Sequence, residues 1–186
     1  AIDTAVAESY GEADGDWTYP WSVRDKTYVC QNSGWSLKYS SDWYPSRIQL
    51  EGQPETFRLI RKLNGRRLIA AFTVLPSAGS EYDVVAPDVI ANVQRAILKE
   101  QLPEAAIEVV ESGVTTISSC RVPWCEITVR RPSRSITWNQ FYWLQSDDHA
   151  WMIQLSTDFE PDHVSAALAI CEPVLSSITI EKPTTV

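Results

Sequence analysis

Any chemistry in this chain has to start from a few residues. Its two histidines both sit beside carboxylates: His149 follows Asp147 and Asp148, and His163 closes Asp158-Phe159-Glu160-Pro161-Asp162-His163. Carboxylate beside imidazole is the material of acid–base catalysis or of a cation site, provided the side chains converge on one point. Asp147, Asp148 and His149 are consecutive in the turn of a predicted hairpin. Neighbouring turn residues point apart, and turns favour Asp for backbone reasons. Asp162 is placed to cap a helix, and the acids before it suit the positive end of the helix dipole. No GxSxG phrase occurs, neither histidine lies in a triad phrase, and the seven glycines form no phosphate loop. The expectation is therefore no catalytic residue, no metal site and no cofactor. A small hydrolase or metal-dependent enzyme using His149, His163 and nearby acids is the minor alternative.

The four cysteines are Cys30, Cys120, Cys125 and Cys171. None forms a CxxC pair, and two histidines are too few to suggest zinc. An even count fits two disulfides and an oxidising compartment. Cys120 and Cys125 flank Arg121-Val122-Pro123-Trp124; a turn there would set them opposite each other across a hairpin. That leaves Cys30 with Cys171, tying the N-terminal segment to the last helix. The competing reading is four buried thiols, since Cys packs well as a small core residue.

Twenty-four acidic against 16 basic residues give a net charge of −8, which disfavours nucleic acid as a partner. The charge is uneven. Residues 1–30 hold six acids against Arg24 and Lys26, whereas Arg58, Arg61, Lys62, Arg66 and Arg67 fall within ten residues with no acid among them. This basic run could grip an acidic partner or lipid headgroups, or it could block pairing at a strand edge. Arg130, Arg131 and Arg134 form a second cluster. If both clusters meet on one face, an anionic partner gains support; the acidic stretch 1–16 is an intramolecular candidate. Eight tryptophans are unusual. Within one strand, Trp138 and Tyr142 share a side, and Phe141 and Trp143 share the other. An aromatic stripe left bare would be a binding face.

The elements that position these residues follow from periodicity. Residues 1–33 read as an acidic, aromatic-bearing arm that starts at Ala1 without an initiator Met. Strands are expected at Gly34–Tyr39, Ser46–Leu50, Phe57–Lys62 and Arg67–Leu75, with Asn64-Gly65 as a hairpin turn. The near-continuous apolarity of Arg67–Leu75 suggests burial on both faces. A helix is expected over Pro87–Gln101, its apolar stripe being Val89, Val93, Ala96 and Ile97. Strands follow at Ile107–Ile117, Cys125–Arg131, Ile136–Leu144 and Trp151–Thr157. A helix over Asp162–Leu175 and a strand over Ser177–Glu181 close the domain at residue 182, leaving 183–186 as a tail. Helices segregated on a mainly antiparallel sheet make an α+β fold. No apolar run approaches the roughly 20 residues that span a bilayer.

Residues 34–181 resemble the PsbP-like superfamily, which groups the photosystem II extrinsic subunit, the Ran-binding Mog protein and bacterial DcrB-like proteins. The resemblance rests on Gly34-Trp35-Ser36-Leu37-Lys38-Tyr39-Ser40-Ser41-Asp42-Trp43, the single mid-domain helix with its Leu102-Pro103 exit, and the closing Leu175-Ser176-Ser177-Ile178. Ser40 stands where the family usually has Pro, and Ser118-Ser119 where a Gly is usual. The resemblance implies a three-layer α/β/α sandwich around an antiparallel sheet, no shared catalytic residues, and protein partners.

The combined expectation is a non-enzymatic, extracytoplasmic (periplasmic, secreted or lumenal) protein-binding or assembly factor. Its partner would be an acidic or membrane-associated protein. The candidate binding residues are Arg58, Arg61, Lys62, Arg66, Arg67, Arg130, Arg131, Trp138 and Tyr142. The alternative is a cytoplasmic DcrB-like chaperone that shields apolar segments of a secreted effector.

Overall fold

Consecutive antiparallel hairpins build most of the protein. The computed structural model describes residues 26–30, 35–48, 56–63, 65–76, 85–145 and 149–180. Seven strands form the central sheet in the order β3-β4-β5-β9-β8-β7-β6, with every neighbouring pair antiparallel. These are β3 (Tyr44–Ile48), β4 (Thr56–Leu63), β5 (Arg66–Pro76), β6 (Ala106–Ile117), β7 (Cys120–Arg130), β8 (Ile136–Gln145) and β9 (His149–Thr157). A second sheet holds β1 (Lys26–Cys30), β2 (Trp35–Tyr39) and β10 (Thr179–Ile180) in the order β1-β2-β10. Helix α1 (Pro87–Gln101) lies on one face of the large sheet. The small sheet lies on the other, with a 3-10 turn (Pro161–His163), α2 (Val164–Ala169) and α3 (Glu172–Ser176). This is the expected three-layer, mainly antiparallel α+β fold, with strands as well as helices in one outer layer. Among the described residues no helix is long and apolar enough to cross a membrane.

The alternation of β2 explains how the layers join. Trp35, Leu37 and Tyr39 are buried, while Ser36 and Lys38 face outward. Trp35 stacks on Trp151 of β9 with ring centroids 3.4 Å apart and planes 6° apart. Tyr28 of β1 stacks on Phe57 of β4 at 3.9 Å. The Ser177 hydroxyl accepts the Lys38 amide at 2.8 Å, fixing the end of α3 against β2. The opening phrase thus enters the core through Trp35, Leu37, Tyr39 and Trp43.

Four local expectations change. Lys26–Cys30, expected within the arm, is a strand that pairs with β2 and buries Tyr28. The last helix is broken: the chain makes a 3-10 turn, then α2, then α3, and the cap position is Glu160 rather than Asp162, with no side-chain capping bond. The β6–β7 turn is Ser118-Ser119, with φ of 51° and 64°, a two-residue hairpin that asks both residues for the left-handed region. β7 accordingly begins at Cys120, so Cys120 and Cys125 lie five residues apart on one strand, about 17 Å at about 3.4 Å per residue and on opposite faces. A disulfide needs Cα atoms within about 7 Å, so this pair cannot close. Cys120, Cys125 and Cys171 are free thiols. A Cys30–Cys171 bond is therefore not made either; the Cys30 side chain lies outside the described residues.

The fourth change concerns α1. Its buried residues are Ile90 and Ala91, with Leu98 packed beside them against Cys125, Ile127 and Phe141. The expected inward stripe faces out: Val89 is 48% exposed, Val93 49% and Ile97 41%. The helix carries two apolar stripes, and periodicity alone does not say which one the sheet takes. Truncating Ile90 to Ala should cost about 2–4 kcal/mol, whereas Val93→Ala should stay within about 0.5 kcal/mol. Urea unfolding of both variants checks this, and a larger loss at Val93 would reverse the assigned face.

Candidate functional site

The two outer layers do not cover the same part of the central sheet. α1 packs on β6 and β7, over Cys125, Ile127 and Phe141. The small sheet and the short helices pack on the opposite face, over Phe57, Phe72, Trp151 and Ile153 of β4, β5 and β9. Among the described residues neither layer packs over the α1-side face of β3, β4 and β5, although Ser46 and Ile60 are buried there, and the short helices cover the β7–β8 part of the opposite face only in part, burying Val122 and Leu144 and leaving Tyr142 half-buried.

The first of these areas is the α1-side face of β3, β4, β5 and β9. Strand alternation and register place there Ser46, Arg58, Ile60, Lys62, Arg67, Ile69, Ala71, Thr73, Leu75, Met152 and Gln154. Ile69, Ala71, Thr73, Leu75, Met152 and Gln154 are all half-buried. Arg67–Leu75 is therefore fully packed on one face only, contrary to the expectation of burial on both. Thr56 and Thr73 bond across the strands at 2.9 Å, and Gln154 donates to Asn139 at 3.1 Å. α1 borders this area. Its Asn92, Arg95 and Lys99 flank lines a depression of about 580 Å³ against Ala106 and Ile107 of β6. At 100° per residue, Val93 and Ile97 occupy the opposite flank, toward β8 and β9, consistent with the approach of Gln94 to the Met152 sulfur at 4.0 Å.

The basic residues sort by face. Arg58, Lys62 and Arg67 share the open half-face, and Lys62 stands directly opposite Arg67 in register. Arg58 reaches the Ser46 hydroxyl at 3.5 Å. The Arg67 amide donates to Asp158 Oδ1 at 2.8 Å. Arg131, at the end of β7, donates to Thr137 Oγ1 at 2.7 Å on this same face and at the same end of the sheet. The two basic clusters thus meet in part. Arg61 and Arg66 turn to the other face, Arg61 lying over the Trp43 ring and 3.7 Å from Asp42, and Arg66 in an ion pair with Glu160. These two are occupied in holding local structure.

Trp138, Tyr142 and Arg130 lie on the second, partly covered area, the opposite face of β7 and β8, with Trp124, Glu126 and Gln140. The aromatic stripe and the arginines of Arg58–Arg67 therefore do not form one surface. Trp124 lies over Gly113, whose hydrogen would be replaced by a methyl 3.2 Å from the indole nitrogen in an alanine variant. Tyr142 donates to Gln140, which donates to Glu126, at 2.8 and 3.0 Å. Burial, then neighbouring Cys171 and Glu126, push the Tyr142 phenol up to about 12.

Asp147, Asp148 and the His149 side chain lie outside the described residues. Asp158 and Glu160 serve Arg67 and Arg66, and His163 is exposed. Among the described residues no three His, Cys, Asp or Glu side chains gather as a metal site. Burial raises the Cys125 thiol to about 11 and, although Arg61 opposes it, the Cys171 thiol to about 12, so neither is an activated nucleophile.

Of the residues singled out from the sequence, Arg58, Lys62, Arg67 and Arg131 lie on this half-face; Val93, Ile97 and Ile69-Ala71-Thr73, which border or floor it, were not among those candidates.

The backbone is similar to the solution structure of cyanobacterial PsbP (CyanoP) from Synechocystis sp. PCC 6803, with a TM-score of 0.61 at 11% identity over 86% of this chain and 94% of that one. It is also similar to LpqN, involved in cell envelope biogenesis of Mycobacterium tuberculosis, with a TM-score of 0.51 at 12% identity over 86% and 91% of the two chains. A crystal structure from Bacteroides thetaiotaomicron VPI-5482 matches with a TM-score of 0.52 at 13% identity over 85% of this chain and 49% of that one. No family model matches the sequence, and no curated protein matches it.

The raised thiol and phenol values fix a pH dependence. Cys125, Cys171 and Tyr142 hold their protons in the folded state beyond the ordinary values of 9.0 and 10.0. Above about pH 9 the unfolded chain has lost protons that the folded chain keeps, so stability falls as pH rises toward about 12. Below about pH 9 these three groups contribute no slope. Denaturant midpoints at a series of pH values should therefore stay level with respect to these groups up to about pH 9 and drop beyond it, with a smaller drop in Cys171→Ala.

Proposed function

Because this chain has the PsbP-like fold, an architecture that dictates no reaction, we propose that it is a non-enzymatic, extracytoplasmic protein-binding or assembly factor. Its docking surface is the open half-face of β3, β4 and β5. The observation that carries this reading is the offset of the two outer layers. It leaves an apolar floor of Ile69, Ala71 and Thr73 beside the exposed Val93 and Ile97, with Arg58, Lys62, Arg67 and Arg131 toward one end. Lys62 and Arg67 are like charges directly opposed across two strands, an arrangement that repels. The partner is accordingly an acidic protein segment with an apolar side. The role of LpqN in cell envelope biogenesis supports the extracytoplasmic setting. Trp138, Tyr142 and Arg130, on the opposite face, form a separate and more polar surface.

The test reverses charge at Arg58, Lys62 and Arg67 together and repeats affinity capture from the native host. The captured partner should be lost, with a drop in binding of at least about tenfold. Reversal at Arg95, on the far flank of α1, should leave capture unchanged. Retention of every partner by the triple variant, or equal loss in the Arg95 variant, sinks the half-face as the docking surface.

A specific observation favours the second reading, a cytoplasmic chaperone for apolar segments: Cys120, Cys125 and Cys171 are free thiols. Fractionation of the native host separates the two: recovery of the protein in the cytosol is the outcome expected of the chaperone and would exclude the extracytoplasmic reading, and recovery outside the cytosol does the reverse.

A further inference from the structure

We propose that the outer edge of β6, with the α1 depression beside it, is a second docking site. It takes a short extended peptide as an added strand, with an acidic side chain toward α1 and basic side chains on the other side. The site lies at the opposite end of the sheet from the β3–β5 half-face and does not depend on it.

β6 ends the large sheet. It pairs with β7 on one side, and among the described residues no strand pairs with its other side. Such an edge presents backbone N–H and C=O groups that an extended peptide takes up as a new ladder. The edge is not a long flat one. Val109 pairs with Ile127 and Glu111 with Glu126, so Val110 is an extra, bulged residue, 48% exposed. The bulge interrupts the outer ladder after Val109, which limits the occupant to a short segment along residues 106–109. It also sets Glu108 and Glu111, three residues apart, on one face. Their partners Thr128 and Glu126 alternate with Cys125 and Ile127, which pack on α1, so both glutamates lie on the face away from that helix.

The α1 side of the same edge has the opposite charge. Ile107 and Val109 turn toward the helix. The depression of about 580 Å³ lies between them and the Asn92, Arg95 and Lys99 flank, and its volume falls in the range of about 300–1,000 Å³ typical of ligand sites. The Lys99 ammonium donates to the carbonyls of Pro103 and Ala105 at 2.8 and 3.0 Å, which locks the turn at the end of the depression. Arg95 is exposed and, among the described residues, has no ion pair and no hydrogen-bond partner for its side chain. Asn92, one turn before it, is exposed on the same flank.

A strand laid along residues 106–109 alternates its side chains between these two environments. One set enters the depression, where a carboxylate meets the Arg95 guanidinium. The other set stands beside Glu108 and Glu111, where lysine or arginine makes opposite-charge cross-strand pairs. A second copy of this chain does not meet that pattern. Pairing β6 with β6 about a two-fold axis gathers the Glu108 and Glu111 carboxylates of both copies on one face, where they repel.

The probe is a dye-labelled peptide, N-acetyl-VKEKVTV-amide, titrated with the full chain and read by fluorescence anisotropy. Its lysines fall on one side of an extended strand and its glutamate on the other. It should bind saturably. The peptide VVKTKVE has the same composition but sets both lysines and the glutamate on one side, and it should bind at least about tenfold more weakly. Arg95→Glu should weaken the first peptide by a similar factor, and the triple reversal at Arg58, Lys62 and Arg67 should leave it unchanged. N-methylation of alternate peptide residues should abolish binding in one phase and spare it in the other, because only every second N–H faces β6. If Arg95→Glu does not fold, the peptide VKQKVTV on the unaltered chain decides the same point by losing the carboxylate instead. No saturation up to about 1 mM, equal binding of the two isomeric peptides, retention by both N-methylated forms, or loss in the triple variant overturns the proposal. So does a stable dimer that the probe dissociates, which makes a second copy the occupant of the edge.

Discussion

The stack of Trp35 on Trp151 decides how the rest of the molecule is arranged. Two indoles at 3.4 Å join the small sheet to the middle of the large one. Each ring removes about 150–250 Å² from water, a gross gain of about 4–6 kcal/mol at about 25 cal/mol per Å². Among the described residues neither indole N–H has a hydrogen-bond partner. An unmade bond of this kind costs about 1–3 kcal/mol, so burial outweighs it. Once Trp35 is fixed, the alternation of β2 fixes Leu37 and Tyr39, and the pairing of β1 brings Tyr28 onto Phe57. The small sheet is thereby held over β4, β5 and β9, and the short helices beside it reach Val122, Leu144 and Tyr142 of β7 and β8.

On the opposite face the controlling constraint is chain connectivity. β5 ends at Pro76 and β6 starts at Ala106, with α1 between them. β6 is the far edge strand of the sheet, so the connection carries α1 to that edge and seats it on β6 and β7. A single 15-residue helix is about 22 Å long and about 10 Å wide, too narrow to cover seven strands. One helix therefore leaves the β3–β5 half open. The uneven coverage of the two faces is a consequence of one helix on one face and a small sheet on the other, each anchored at opposite sides.

Much of this was legible in the sequence because it depends on local rules. The α1 boundaries Pro87–Gln101 follow from Pro87 and Pro103, and the alternating strands follow from period two. The turn at Ser118-Ser119 was not legible as such, since both residues adopt positive φ without Gly or Asn. That missed turn shifted the start of β7 from Cys125 to Cys120 and with it the proposed disulfide. The orientation of α1 was also not legible. Ile90, Ala91 and Leu98 compete with Val89, Val93 and Ile97 at the same period, and the winner is set by which stripe meets Cys125 of β7 and Phe141 of β8.

The basic residues show the same limit from the other side. Their clustering in sequence, Arg58 to Arg67, suggested one patch, but a hairpin alternates its side chains between two faces. Arg61 and Arg66 go to the layer that holds Asp42 and Glu160, and their charge is used in keeping that layer in place. Arg58, Lys62 and Arg67 go to the layer with one helix. Three of the five basic residues thus share a face, joined by Arg131 from a turn that sequence distance had separated from them. Strand alternation therefore decides which environment each basic residue meets: Arg61 and Arg66 hold Asp42 and Glu160 on one face, while Arg58, Lys62 and Arg67 lie on the other.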